Sequence, residues 1–118
     1  MTGSAGTGWS RHGRIRARRS AVQALYQWDM TGRPAGQIID EFRVDRAELK
    51  RADVEYFHDL VDGVTRHCAE LRPELERHTD RGLDELDPVE RAILYLGAYE
   101  LKYRQDVPCR TVINESVE

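Results

Sequence analysis

The sequence predicts an all-α protein. Three observations lead there. Apolar residues recur at steps of three and four in several separate windows, no window alternates apolar and polar residues as a strand would, and Pro, Gly and Asp fall between the windows where helices start and stop. A length of 118 residues fits one domain and excludes a large multidomain enzyme.

Residues 1–13 are rich in Gly, Ser and Thr and have no apolar period, so they are expected to form a flexible leader. The first helix is predicted from Arg14. Ala17, Ala21, Ala24, Leu25 and Trp28 mark its buried face, Arg16, Arg19, Gln23 and Gln27 the opposite one, and Gly32 and Pro34 its end. Pro34 suits the first turn of a short second helix that buries Ile38, Ile39 and Phe42. The stretch Val44 to Ala52 alternates charges and reads as exposed. Asp53 is the expected N-cap of a third helix with an apolar stripe of Phe57, Leu60, Val61, Val64, Cys68 and Leu71, which Pro73 breaks or restarts.

The clearest start signal is Asp87, Pro88, Val89 and Glu90, where a cap acceptor, a proline in the first turn and a glutamate placed to bond back to the cap follow one another. Val89, Ile93, Leu96 and Gly97 are predicted on one face of that helix, widened by Leu94, Tyr95 and Leu101. A mid-helix glycine costs about 1 kcal/mol relative to alanine, so Gly97 suggests a close helix crossing. Pro108 opens a last helix with Val112, Ile113 and Val117. Five or six helices with short, antiparallel connections result.

Net charge is −3, but it is unevenly placed. Residues 1–28 hold Arg11, Arg14, Arg16, Arg18 and Arg19 with no acid, a balance of +5; the other 90 residues hold 13 basic and 21 acidic groups, a balance of −8. A basic arm on an acidic body suggests a polyanionic partner, although a solvated helix face is the plain alternative. Arg forks onto phosphates and stacks on bases, and clustered Arg repel one another unless an anion intervenes. RNA is favoured over duplex DNA, because no helix-turn-helix spacing is evident and an Arg-rich arm near Trp9, His12 and Tyr26 can grip a single strand. Taken alone, Tyr26 and Trp28 read as core or core-edge residues.

Catalytic signals are missing. The sequence has no phosphate loop, no nucleophile elbow and no HExxH pair, and His67, Cys68 and His78 match no zinc spacing, so neither catalytic nor metal residues are expected. Asp84, Glu85 and Asp87 surround a helix start, where negative charge is favoured in any case. Cys68 and Cys109 are too few for a disulfide framework. No stretch approaches the ~20 apolar residues of a membrane span, and no signal sequence is evident, so the expected site of action is the cytoplasm.

RARRSAVQALYQWDMTG, ADVEYFHDLVDGV, LDELDPVERAILYLGAYEL and DVPCRTVINESVE, taken in order over about residues 14–118, resemble the NusB family of bacterial transcription antitermination factors. The resemblance implies two small helical bundles, the first over about 14–75 and the second over about 76–118. It also implies no enzymatic activity and no cofactor. The implied partners are boxA RNA of ribosomal RNA leader transcripts, the ribosomal protein NusE and, through them, the RNA polymerase antitermination complex. Arg14, Arg16 and Arg18 match the family's Arg-rich motif, with Ile15 where many members have Arg and Arg19 beside it as compensation. Tyr26 matches the Tyr of the ALY motif. Asp84 and Glu90 match acidic positions associated with RNA and NusE contacts.

Family members continue beyond INESVE with the rest of that helix and one further helix, so the second bundle is expected to be incomplete. Ile93, Leu96, Val112 and Val117 would then lose part of their cover, roughly 1.5 to 3 kcal/mol for each side chain left fully exposed, and whether a homodimer forms through that face is left open by the sequence. Two rival readings are the RNA-binding domain of a ribosomal RNA methyltransferase and a helical protein-binding module without RNA activity.

Overall fold

The computed structural model describes residues 11–45, 51–80 and 82–104. They form α1 (Arg11–Thr31), α2 (Ala35–Asp45), α3 (Arg51–Glu76), a single 3₁₀ turn (Leu83–Glu85) and α4 (Pro88–Tyr103), with no strand among the described residues. The all-α expectation holds. The helix expected after Pro108 lies outside the described residues, as do Val112, Ile113, Val117 and Cys109.

α1 starts at Arg11, so residues 11–13 of the expected leader are helical. Gly13 is buried within this added turn. Ala17, Ala21, Ala24 and Leu25 form the buried face as expected, with Trp28 half-buried against the same core. The helix ends at Gly32, whose φ of +71° is the left-handed conformation that glycine adopts without strain, and its N–H bonds to the Trp28 carbonyl at 3.0 Å. Pro34 then caps α2 from just outside, its carbonyl accepting from the Gln37 and Ile38 N–H groups. Ile38, Ile39 and Phe42 are buried, and the Phe42 ring stacks on Phe57 of α3 with centroids 5.5 Å apart.

α3 differs from expectation at both ends. It begins at Arg51, two residues before the expected Asp53 cap, and it runs through Pro73 to Glu76. A proline removes one N–H bond, yet the Arg77 N–H bonds to the Pro73 carbonyl at 3.2 Å, and Leu75 packs on the core, which outweighs that loss one turn from the end. The predicted stripe is buried apart from half-exposed Cys68, and Tyr56 joins it with no exposure at all.

α4 starts as its sequence dictates. Asp87 Oδ1 accepts from the Val89 N–H at 2.8 Å, and the Asp87 N–H donates to Glu90 Oε1 at 3.2 Å, a reciprocal capping box. The buried face is rotated from the expected one: Ala92, Tyr95, Leu96, Tyr99 and Glu100 point inward, while Val89 and Leu101 are exposed. Leu96 is only 1% exposed, contrary to the loss of cover expected there, and Ile93 is half-buried. Gly97 is buried, and a close crossing lies at Gly63 of α3, where an added Cβ would lie 2.2 Å from Tyr99 Cζ. α1 packs on α3 and α4, and α2 packs on α1 and α3, so the described helices share one apolar core.

Candidate nucleic-acid interface

The Arg-rich first half of α1 does not present all its guanidinium groups alike. Arg19 is exposed, whereas Arg14 and Arg16 are half-buried. Arg18, expected to face RNA, is buried instead. Adjacent helical residues point about 100° apart, so the rotation that exposes Arg19 turns Arg18 inward.

The Arg18 side chain forks onto Glu100 of α4. Nε donates to both carboxylate oxygens at 3.0 Å, and Nη2 lies 2.9 Å from Oε2. The Glu100 side chain has no exposure and Arg18 has 5%, so each charge relies on the other in a site closed to water. The Tyr56 hydroxyl of α3 donates to Glu100 as well. Burial first, and then the Glu100 carboxylate, push the Tyr56 phenol above its ordinary range, so it remains the proton donor. The guanidinium carbons of Arg18 and Arg104 lie 5.8 and 5.4 Å from the Tyr56 ring centroid. Arg104 also reaches Asp59 Oδ2 at 2.9 Å, and the Tyr99 hydroxyl donates to Asp59 Oδ1 at 3.1 Å. Three helices are thus joined by one polar network at the level of the Arg cluster. Sequence periodicity misses it because Glu100 and Tyr56 are ordinary surface residue types; their inward register becomes visible only once the helix faces are fixed.

Further along α1, Arg19, Gln23, Tyr26 and Met30 are all exposed at helical spacing, with Tyr26 at 40%. Tyr26 is therefore neither core nor core edge. The ridge carries a cation, an amide and an aromatic ring on one line, groups that pair with phosphates and stack on bases.

The acidic positions lie at the start of α4. Asp84 is largely exposed and pairs with Arg72 at 3.1 Å. Glu90 is exposed, but one oxygen is occupied by the capping bond. Arg91 organises this corner. Its Nη1 donates to the Leu83, Asp84 and Leu86 carbonyls at 3.2, 3.4 and 2.8 Å, and its Nη2 reaches Asp29 of α1 at 2.8 Å. The turn bearing Asp84 is thereby tied to α1. A cavity of about 190 Å³ opens beside it, with Trp28, Asp84, Arg91 and Tyr95 among its walls. Burial pushes the Tyr95 phenol up to about 12, helped by the nearby Cys68 thiol.

The residues weighed for chemistry are placed apart. The His67 ring stacks on Tyr103 with centroids 4.4 Å apart, His78 is exposed, and no cluster of His, Cys, Asp or Glu that could hold a metal is found among the described residues. No helix among them is long and apolar enough to cross a membrane.

The NusB family model matches residues 15–118. The transcription antitermination protein NusB of Xylella fastidiosa (strain 9a5c) is 54% identical over 104 residues, 88% of this chain and 66% of that protein. The NusB protein of Xanthomonas oryzae pv. oryzae (strain PXO99A) is 51% identical over 105 residues, 89% and 67% of the two chains. Among solved structures, a chain in the crystal structure of the antitermination factors NusB and NusE in complex with dsRNA matches with a TM-score of 0.83 at 30% identity, covering 92% of this chain and 80% of that one. A T. maritima NusB structure matches with a TM-score of 0.79 at 24% identity over 88% and 73% of the two chains, which speaks for the fold alone. The chain spans about two thirds of the length of the curated relatives it matches. Four ordered motifs, an all-α core and these matches agree: the chain belongs to the NusB family.

Proposed function

We propose that this protein is an RNA-binding transcription antitermination factor of the cytoplasm that holds boxA RNA and NusE together and so promotes readthrough by RNA polymerase. The observation that carries the reading is the ridge of Arg19, Gln23 and Tyr26, exposed on the same helix that begins with the Arg cluster. Arg14, Arg16 and Arg19 supply phosphate contacts and Tyr26 a stacking surface. The related structure with NusE and dsRNA supports RNA and NusE as the two partners. NusE docks at the acidic corner, where exposed Asp84 attracts a basic protein, Glu90 adds negative charge and the adjoining cavity accepts a side chain. The mechanism is joint binding without chemistry. Two weak contacts made by linked partners reinforce each other through effective concentration.

The test is RNA affinity as a function of salt for the triple variant Arg14→Ala, Arg16→Ala, Arg19→Ala. Each phosphate contact to a single strand contributes about −0.7 to the slope of log affinity against log salt, so losing three flattens it by about 2. An unchanged slope and affinity would remove the Arg cluster from the interface.

A further inference from the structure

We propose that Arg18 is a positioning residue for RNA binding: anchored inside the protein by Glu100 and Tyr56, it sets the rotation of α1 and hence where Arg14, Arg16 and Arg19 meet the phosphates. This rests on the RNA-binding reading above. The face that α1 buries at this level consists of Gly13, Ala17, Ser20 and Ala21. Such small side chains permit close approach but interlock weakly, so at this end of α1 they add little to the rotation that Leu25 and Trp28 set further along.

A forked guanidinium–carboxylate pair supplies what they lack. It joins one donor, Nε, to both carboxylate oxygens, with Nη2 2.9 Å from Oε2, and it is closed to water, so a roll of the helix breaks two bonds at once. The cost of leaving a buried charge unpaired makes the alternatives unfavourable, which is how buried polar pairs fix a register. Arg19 is the next residue in the chain, so any roll that releases Arg18 moves Arg19 off the exposed ridge. The pair also cancels the charge of Arg18 within the protein, while Arg19, the next residue, stays exposed.

Two variants test the anchor without introducing bulk. Glu100→Gln keeps the shape and removes the charge, and Tyr56→Phe removes one hydroxyl. Affinity for a boxA oligomer is measured at a temperature where far-UV circular dichroism of each variant matches the wild type. Residues that touch no ligand shift affinity by roughly twofold to thirtyfold when they position those that do. A loss in that range is expected for Glu100→Gln and a smaller one for Tyr56→Phe. Unchanged or tighter binding by Glu100→Gln would overturn the proposal, because an Arg18 that touched RNA would be released by the change and the local field would become more positive.

A readout independent of RNA separates this proposal from the RNA-binding reading. Ser20 is 2% exposed. Introduced as Ser20→Cys, it should alkylate slowly with iodoacetamide in the otherwise wild-type chain and at least several times faster in the Glu100→Gln background, with the modified site mapped by mass spectrometry to distinguish it from Cys68 and Cys109. Equal alkylation rates would overturn the anchor. Accelerated alkylation in a protein that binds no RNA would uphold the anchor and overturn the RNA-binding reading.

Discussion

Replacing Gly63 with alanine should destabilise this protein, although alanine is the better helix former. The added Cβ would lie 2.2 Å from Tyr99 Cζ and 2.4 Å from both Cε1 and the hydroxyl oxygen, far inside van der Waals contact. Tyr99 cannot simply swing away. It is 6% exposed, and its hydroxyl donates to Asp59 at 3.1 Å, so relief means shifting a packed ring and stretching that bond. Overpacking costs about 1 to 3 kcal/mol and a weakened hydrogen bond about 0.5 to 1.5, against about 1 kcal/mol gained from helix propensity. The net loss is about 0.5 to 3.5 kcal/mol. At about 4 °C per kcal/mol for a domain of this size, Tm falls by roughly 2 to 14 °C. Far-UV circular dichroism melting reads this directly, with Gly36→Ala as the control, since a Cβ there meets nothing within 4 Å. A Gly63→Ala variant that melts at or above the wild type would refute the claim that α3 and α4 cross here at glycine distance.

Other predictions concern separate regions. Asp87→Ala removes the side-chain acceptor of the α4 capping box and should cost about 0.5 to 2 kcal/mol in urea unfolding, with an unchanged m-value. Lys102, which bonds Glu70 and Glu74 at 2.8 Å, together with the Tyr103 hydroxyl, holds the Glu70 carboxyl down to about 2 from 4.5. A depressed folded-state pKa adds stability above the unfolded value and loses it as pH falls through the folded one. The Tm gap between wild type and Lys102→Met should therefore shrink as pH drops from about 4.5 to about 2, and a constant gap would show that Lys102 acts otherwise. Tyr26→Ala should weaken RNA binding by about 1 to 3 kcal/mol while leaving Tm nearly unchanged, because the ring is exposed and lies outside the apolar core of the described residues. Arg91→Ala should loosen the turn bearing Asp84, read as faster amide exchange at Leu86, whose N–H closes that turn onto the Leu83 carbonyl.

Much of the fold was legible because helical periodicity is strong in α1, α2 and α3, and because the Asp87 to Glu90 cap is nearly a complete instruction. The misses have physical causes. Pro73 reads as a break, but one missing N–H near the end of a 26-residue helix is outweighed by packing of the turn that follows. The inward face of α4 escapes periodicity, which counts apolar residues only, because that face includes Tyr99 and Glu100. The same blindness hid the site's main internal feature. Five Arg in the first 28 residues announce a polyanion surface, but nothing local says that Arg18 belongs to a carboxylate 82 positions away. Tyr26 erred the other way, since an aromatic residue beside Ala24 and Leu25 looks like core until the rotation of α1 places it outside.

The central claim is joint binding of one RNA sequence and one basic protein. Its most direct test is a titration of the chain with a boxA oligomer and a scrambled oligomer of equal length, with and without NusE, at two salt concentrations. The account predicts tighter binding of boxA than of the scrambled strand, a further gain when NusE is present, and a steep loss with salt. Equal binding of both oligomers, unaffected by NusE, would contradict it and leave only a generic attraction between an Arg-rich helix and a polyanion.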